Sequence, residues 1–293
     1  MDFGRVVTAM VTPMNEDGSV NYDNAQKLAE YLLDNGSDSL VVCGTTGESP
    51  TTSKEEKINL FKAVKEVTKS RGAVMIAGTS SYDTAASVAL TKEAAAAGAD
   101  AILAVTPYYN KPPQDGLYAH FSSIAAAADL PLILYNVPSR TVANLEADTV
   151  VRLSEIPNIV AVKEASGNLE QASQIRMNTS PDFMIYSGDD SLTLPLLSLG
   201  ACGIISVASH LIGKSINEMV AAFEEGDNAK ALELHLACYP VFRKLFICSN
   251  PMPLKYCLNR IGINVGPCRL PLVPVSGEHA AVLDKMLQDI GLL

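Results

Sequence analysis

Eight short apolar runs, separated by longer helical patterns, limit the folds open to this chain. They are Arg5–Thr12, Ser39–Cys43, Ala73–Gly78, Ala101–Thr106, Pro131–Tyr135, Ile159–Lys163, Phe183–Ser187 and Gly203–Val207. Several are apolar almost throughout, as parallel strands covered on both faces are. The stretches between them have readable ends. Ser53-x-x-Glu56 matches a capping box opening a helix that runs to about Ser70. Asp83 can cap the stretch through Ala97, which Gly98 closes. A handover pattern recurs in Asn35-Gly36-Ser37-Asp38, Ala97-Gly98-Ala99-Asp100 and Leu199-Gly200-Ala201-Cys202, where glycine supplies the left-handed turn before a strand. Eight such units in roughly 210 residues predict a closed parallel (β/α)8 TIM barrel, in preference to a doubly wound open sheet. After Ile212 the strand signal fades. Ile216–Glu225, Asn228–Ile247 and His279–Ile290 read as helices, with a proline-rich loop from Pro267 to Pro274. The expected division is a catalytic barrel over residues 1–212 and a helical C-terminal region over 213–293.

The formal net charge of −10 and the lack of a Lys/Arg-rich run argue against a nucleic-acid partner. Cysteines at 43, 202, 238, 248, 257 and 268 include no C-x-x-C pair, so no zinc or redox site is read from them. The start lacks the charged-then-apolar layout of a signal peptide, and reduced thiols in the cytoplasm are expected. From Ser191 to Gly213 no Asp, Glu, Lys or Arg occurs. Pro195, Gly200 and Gly203 interrupt that stretch, so it reads as a buried helix and strand rather than a membrane span.

Lys163 ends the sixth run. A lysine there either lets its head escape to solvent or is kept for chemistry. Burial disfavours the ammonium form, and a neutral amine can attack a carbonyl to form a Schiff base. In such barrels the site lies at the C-terminal strand ends. Those ends carry Gly44-Thr45-Thr46-Gly47-Glu48-Ser49, Thr106-Pro107-Tyr108-Tyr109-Asn110, Tyr135-Asn136-Val137-Pro138-Ser139-Arg140, Lys163-Glu164, Ser187-Gly188-Asp189-Asp190 and Ile205-Ser206.

Together these residues suit imine chemistry. Lys163 is the nucleophile, and Tyr135 on the adjacent strand can pass protons. Residues 131, 133 and 135 share one face, as do 159, 161 and 163. Hydroxyls of Thr45 and Tyr109 can extend a proton chain, the Thr45-Thr46 turn offers N–H groups to a carboxylate, and Arg140 can bind a second carboxylate. Each has a plainer reading: a strand-end core tyrosine, a turn threonine, a surface arginine, and Asp189-Asp190 as helix caps. No glycine-rich phosphate cradle, dinucleotide or nucleotide motif is present. His120, His210, His235 and His279 are dispersed, so neither metal nor cofactor is expected.

The motifs Gly44-Thr45-Thr46-Gly47-Glu48, Tyr108-Tyr109-Asn110, Tyr135-Asn136-Val137-Pro138-Ser139-Arg140-Thr141, Val162-Lys163-Glu164 and Ser187-Gly188-Asp189-Asp190 together resemble the dihydrodipicolinate synthase (4-hydroxy-tetrahydrodipicolinate synthase) family in order and spacing. The resemblance covers essentially the whole chain. It implies a lyase that condenses pyruvate with L-aspartate 4-semialdehyde, the first committed step toward lysine and diaminopimelate. Lys163 would hold pyruvate as an imine, and Tyr135, Thr45 and Tyr109 would match the proton relay. Thr46 would hold the pyruvate carboxylate through its backbone, Arg140 the semialdehyde carboxylate, and Gly188 with the Ile205 carbonyl would line the pocket. In that family the tyrosine matching Tyr109 comes from a neighbouring subunit, which implies a homotetramer built as a dimer of dimers.

Arg140 separates this reading from another pyruvate-dependent aldolase of the sialic acid lyase type, whose members typically lack that arginine. A catalytically silent keto-acid-binding barrel is a third possibility, and it would have no need of the lysine, tyrosine, threonine and arginine together. One departure is visible. Lysine-inhibited relatives bind lysine with histidine, asparagine and glutamate side chains, whereas the aligned positions here hold Lys54, Lys57, Tyr82 and Ala86, although Ser49 and Tyr108 fit. Two cations and a missing carboxylate predict weak or absent lysine feedback.

Overall fold

The recurring glycines turn the chain as their sequence pattern predicts: φ is 96° at Gly36, 92° at Gly98 and 87° at Gly200. The aspartate two residues later does a second job. Asp38 Oδ2 accepts the Val6 N–H at 2.9 Å, and Asp100 Oδ2 accepts the Met75 N–H at 2.8 Å. Each carboxylate thus satisfies a main-chain donor at the base of a neighbouring strand. Cys202 takes the third such position, its Sγ 3.4 Å from the Ile185 carbonyl.

The computed structural model describes residues 2–293. Its strands are β1 Val6–Ala9, β2 Ser39–Val42, β3 Val74–Gly78, β4 Ala101–Val105, β5 Leu132–Asn136, β6 Ile159–Glu164, β7 Met184–Ser187 and β8 Gly203–Ser206. They pair in sequence order, all parallel, and β8 returns to β1 to close the barrel. This is the (β/α)8 barrel with a C-terminal helical extension. β1 is shorter than its apolar run, because pairing with β2 ends at Ala9↔Val41 and the chain then turns toward the C-terminal region, Met14 N–H donating to Val265 O at 3.0 Å.

Alternation along the strands makes two apolar layers. Val7, Val41, Ile76, Leu103, Ile133 and Ile205 fill the barrel, while Val6, Leu40, Met75, Ile102, Leu134 and Val162 face the helices. Helix ends follow the sequence signals. Ser53 and Glu56 form a reciprocal capping box at Lys54–Arg71, and Asp83 caps Thr84–Ala96 through the N–H groups of Ala85 and Ala86.

The uncharged stretch resolves into helix Thr193–Leu197, β8 and the start of helix Ser209–Glu224. Among the described residues no helix is long and apolar enough to cross a membrane. Helix Ser209–Glu224 starts earlier than its sequence pattern indicated and carries a kink at Ile212, where φ is −131° and ψ 33°. Beyond the kink, Ile216, Met219 and Val220 belong to the same core layer as the barrel helices. Helices Asn228–Lys244 and Gly277–Asp289 match the sequence reading closely. Helix Met252–Arg260 does not appear in that reading; Pro251 stands at its N-cap and Pro253 in its first turn. Proline is tolerated in a first turn, where the missing N–H has no intrahelical partner anyway.

Candidate active site

Register sets the centre of the site. In the β5–β6 pairing Tyr135 stands opposite Lys163, and Asn136 opposite Glu164. The first pair faces the barrel mouth. The second lies on the other face of the sheet, where Glu164 accepts from Ser166 N–H at 2.6 Å and Gln171 Nε2 at 3.1 Å, and Asn136 Oδ1 accepts from Leu145 N–H at 2.9 Å. These bonds fix the strand ends that carry the first pair.

Lys163 is 5% exposed and Tyr135 6%. The amine Nζ lies 4.3 Å from the Tyr135 ring centroid. Burial pulls the Lys163 pKa down to about 8; the Asp190 carboxylate opposes that fall and the Arg140 charge adds to it. Burial raises the Tyr135 pKa, against the pull of Arg140 and of the Thr45 hydroxyl beside it. The result is a readily deprotonated amine next to a protonated phenol.

β7 supplies space. A Cβ built on Gly188 would lie 3.0 Å from Lys163 Cγ, 3.1 Å from Lys163 Cε and 2.7 Å from the Ala165 methyl. Only a residue without a side chain lets the lysine stem pass. Asp189 caps the following turn through the Ser191 N–H, as its sequence position suggested. Asp190 does not cap from the surface. Its side chain folds under β8, where it is 3% exposed, is bonded by the Ser206 hydroxyl and accepts from the Val207 and Ala208 N–H groups at 3.2 and 3.3 Å. Burial raises its pKa to about 6, with those hydrogen bonds acting the other way. The adjacent acidic pair thus divides into a turn cap and a buried charge.

Lys163, Tyr135, Thr45, Thr46, Arg140 and Gly188 all line one cavity of about 410 Å³ at the strand ends. Arg140 reaches it from the short helix Pro138–Thr141 after β5. Arg243 and Asn250, from the C-terminal region, complete the wall. Neither stands out in the sequence, because both come from segments remote from the barrel motifs. Asn250 Nδ2 donates to Thr46 Oγ1 at 2.9 Å.

Two of the sequence-predicted residues lie elsewhere. Ile205 is part of the barrel's inner core and does not line the cavity. Tyr109 is 90% exposed on its own chain, at a φ of 72°. Beside it, Tyr108 meets Tyr82 edge to face, with ring centroids 5.2 Å apart. Tyr108 also lines a smaller void together with Thr45 and Tyr135. Among the described residues no group of three or more His, Cys, Asp or Glu is placed to hold a metal ion. His210 is a satisfied core histidine, accepting the Val11 N–H at 3.2 Å.

Comparison with known proteins adds to this geometry. The profile of the Dihydrodipicolinate synthetase family matches residues 2–290. A protein of Desulforamulus reducens named 4-hydroxy-tetrahydrodipicolinate synthase is 54% identical over 294 residues, covering 100% of this chain and 99% of that one. Among solved structures, DHDPS from Cyanidioschyzon merolae with lysine bound is 49% identical, with a TM-score of 0.98 over 99% of each chain. The chloride-inhibited dihydrodipicolinate synthase from Acinetobacter baumannii, complexed with pyruvate, is 41% identical, with a TM-score of 0.96 over 100% of each chain.

Proposed function

The chain belongs to the dihydrodipicolinate synthetase family, and on that premise we propose how it works as a lyase of the 4-hydroxy-tetrahydrodipicolinate synthase type. Its substrates are pyruvate and L-aspartate 4-semialdehyde. The neutral Lys163 amine adds to the keto carbon of pyruvate, and loss of water leaves an imine. A proton then leaves the pyruvate methyl group, giving an enamine whose carbon attacks the aldehyde. Tyr135 moves protons in these steps, with Thr45 and the Tyr109 of a neighbouring subunit extending the relay. Thr46 holds the pyruvate carboxylate through its main chain, Arg140 holds the semialdehyde carboxylate, and Gly188 shapes the pocket above the barrel core that contains Ile205. The imine on Lys163 takes the place of any cofactor.

The observation that carries this reading is the register pair itself: a buried amine whose pKa falls to about 8, set over the ring of a buried tyrosine. Borohydride reduction in the presence of pyruvate tests it. A stable adduct on Lys163 is expected, together with turnover of pyruvate and the semialdehyde. Turnover without any modification of Lys163 would sink the mechanism, and preference for a sialic or other sugar acid would move the substrate assignment to the sialic acid lyase type.

A homotetramer, a dimer of dimers, fits the surface. Tyr109 and Tyr82 present aromatic area, 90% and 52% exposed, near the Tyr108 void. Leu232, Leu236 and Tyr239 present a second apolar stripe on helix Asn228–Lys244. Free cysteines fit a reducing, cytoplasmic setting. The proposed division is a barrel over 1–212 and a C-terminal region over 213–293, and the kink at Ile212 supports it.

A further inference from the structure

Glu48 follows the Gly44-Thr45-Thr46-Gly47 turn in a left-handed conformation, with φ 56° and ψ 37°. A residue with a Cβ is strained there, so its neighbours must hold it. Its carbonyl accepts from Thr51 N–H at 3.0 Å and Thr52 Oγ1 at 2.9 Å. The rest of the grip comes from the far end of the chain. Oε1 lies 2.6 Å from Lys255 Nζ, the two side chains being 1% and 2% exposed. Oε2 accepts the Arg269 main-chain N–H at 2.8 Å, and Lys255 also donates to the Pro267 carbonyl at 2.8 Å. The preceding Thr46 is held from the same region, through Asn250.

Stability alone does not account for this pair. Burying two charges is costly, and apolar residues of similar volume often serve as well or better. The Lys255 approach is also off the hydrogen-bonding direction, leaving Glu48 Oε1 without an aligned donor. The role left to such a pair is registry, since displacing either partner strands a buried charge. Here the registry is between the β2 turn and helix Met252–Arg260, which carries Lys255.

We propose that Glu48 and Lys255 are positioning residues for the reaction: through them the C-terminal region sets the Thr45–Thr46 turn relative to Lys163 and Tyr135. The inference rests on the roles proposed above for Thr45 and Thr46.

The deciding variant is apolar at both positions, Glu48→Met/Lys255→Met, since either single change strands a buried charge and destabilises the fold for a trivial reason. The double variant is expected to stay folded and to melt somewhat lower, because the Arg269 N–H and the Pro267 carbonyl lose their side-chain partners. Its KM for pyruvate should rise at least ~tenfold and its kcat should fall, because small misplacements of positioned groups are costly to turnover. Its KM for the semialdehyde should change little, Arg140 standing on a different loop. A double variant with unaltered pyruvate KM and kcat overturns the proposal, as does one that no longer folds, for the pair would then be structural only. Turnover and borohydride trapping of the unaltered chain, measured alongside, test the underlying reading separately.

Discussion

Lys163 Nζ faces the Tyr135 ring from the adjacent strand, 4.3 Å from its centre. The ring face favours an ammonium, while burial and Arg140 favour the neutral amine. With the balance struck at about 8, roughly one amine in ten is neutral at pH 7, against fewer than one in a thousand for an ordinary lysine. That gain in nucleophile comes at the expense of the fold.

Lys163→Met should therefore lose turnover by ~10³-fold or more and gain stability. The lysine's folded pKa is about 8 and its ordinary value 10.5, so between those values the unfolded chain holds more protons and stability rises with pH. Below about 8 the buried ammonium costs on the order of 3 kcal/mol. Thermal melts should show the variant above the unaltered chain at pH 7, with the gap narrowing by pH 10. Equal melting temperatures at pH 7 would mean that the amine is not desolvated.

The same group sets an acid limb in the pH profile. At limiting pyruvate, kcat/KM should climb as pH rises through about 8, where Lys163 loses its proton. Asp190 favours the charged lysine, so Asp190→Asn should move this limb to lower pH. A limb that stays in place would show that the Asp190 charge does not reach the amine.

Arg140→Ala should act on two steps differently. Losing the semialdehyde's carboxylate partner should lower kcat/KM for that substrate by about 10- to 100-fold, while borohydride trapping of pyruvate persists. Because Arg140 depresses the Lys163 pKa, its removal should shift the acid limb upward. Equal loss of trapping and condensation would contradict its assigned place.

Tyr109, exposed and outside its own chain's cavity, leads to a mixing experiment. Lys163→Ala and Tyr109→Phe chains should each be impaired alone. Co-refolded, they should recover part of the activity, since a mixed dimer joins an intact lysine to an intact tyrosine from its neighbour. No recovery despite mixed dimers in native mass spectra would place the working tyrosine in the same chain.

Free lysine should leave turnover unchanged at ~1 mM, on the order of a weak effector's affinity. Lys54 and Lys57 bring two cationic side chains to the aligned positions, and Tyr82 meets Tyr108 edge to face. Ala86 itself offers no carboxylate to an incoming ammonium. Inhibition at sub-millimolar lysine in a steady-state assay would reverse this view.

Local chemistry made much of this molecule readable from its sequence. Uniformly apolar strands, the Ser53 capping box and the glycine handovers each act over a few residues, and together they specify the barrel. Lys163 and Tyr135 were visible because strand alternation brings them to the same face. Long-range placement was not visible. Asp190 looked like Asp189 until β8 closed over it. Arg243 and Asn250 reach the cavity from beyond the barrel, where no period or motif points back to the strand ends. Helix Met252–Arg260 was hidden by the prolines that open it.

Gly188 narrows how this scaffold can be altered. With atoms of the lysine stem 3.0 Å from where a methyl would stand, even alanine would push the nucleophile off its course. Efforts to retool the enzyme for bulkier acceptors are better aimed at the Arg140 loop or at Arg243, which leave the amine's lane clear.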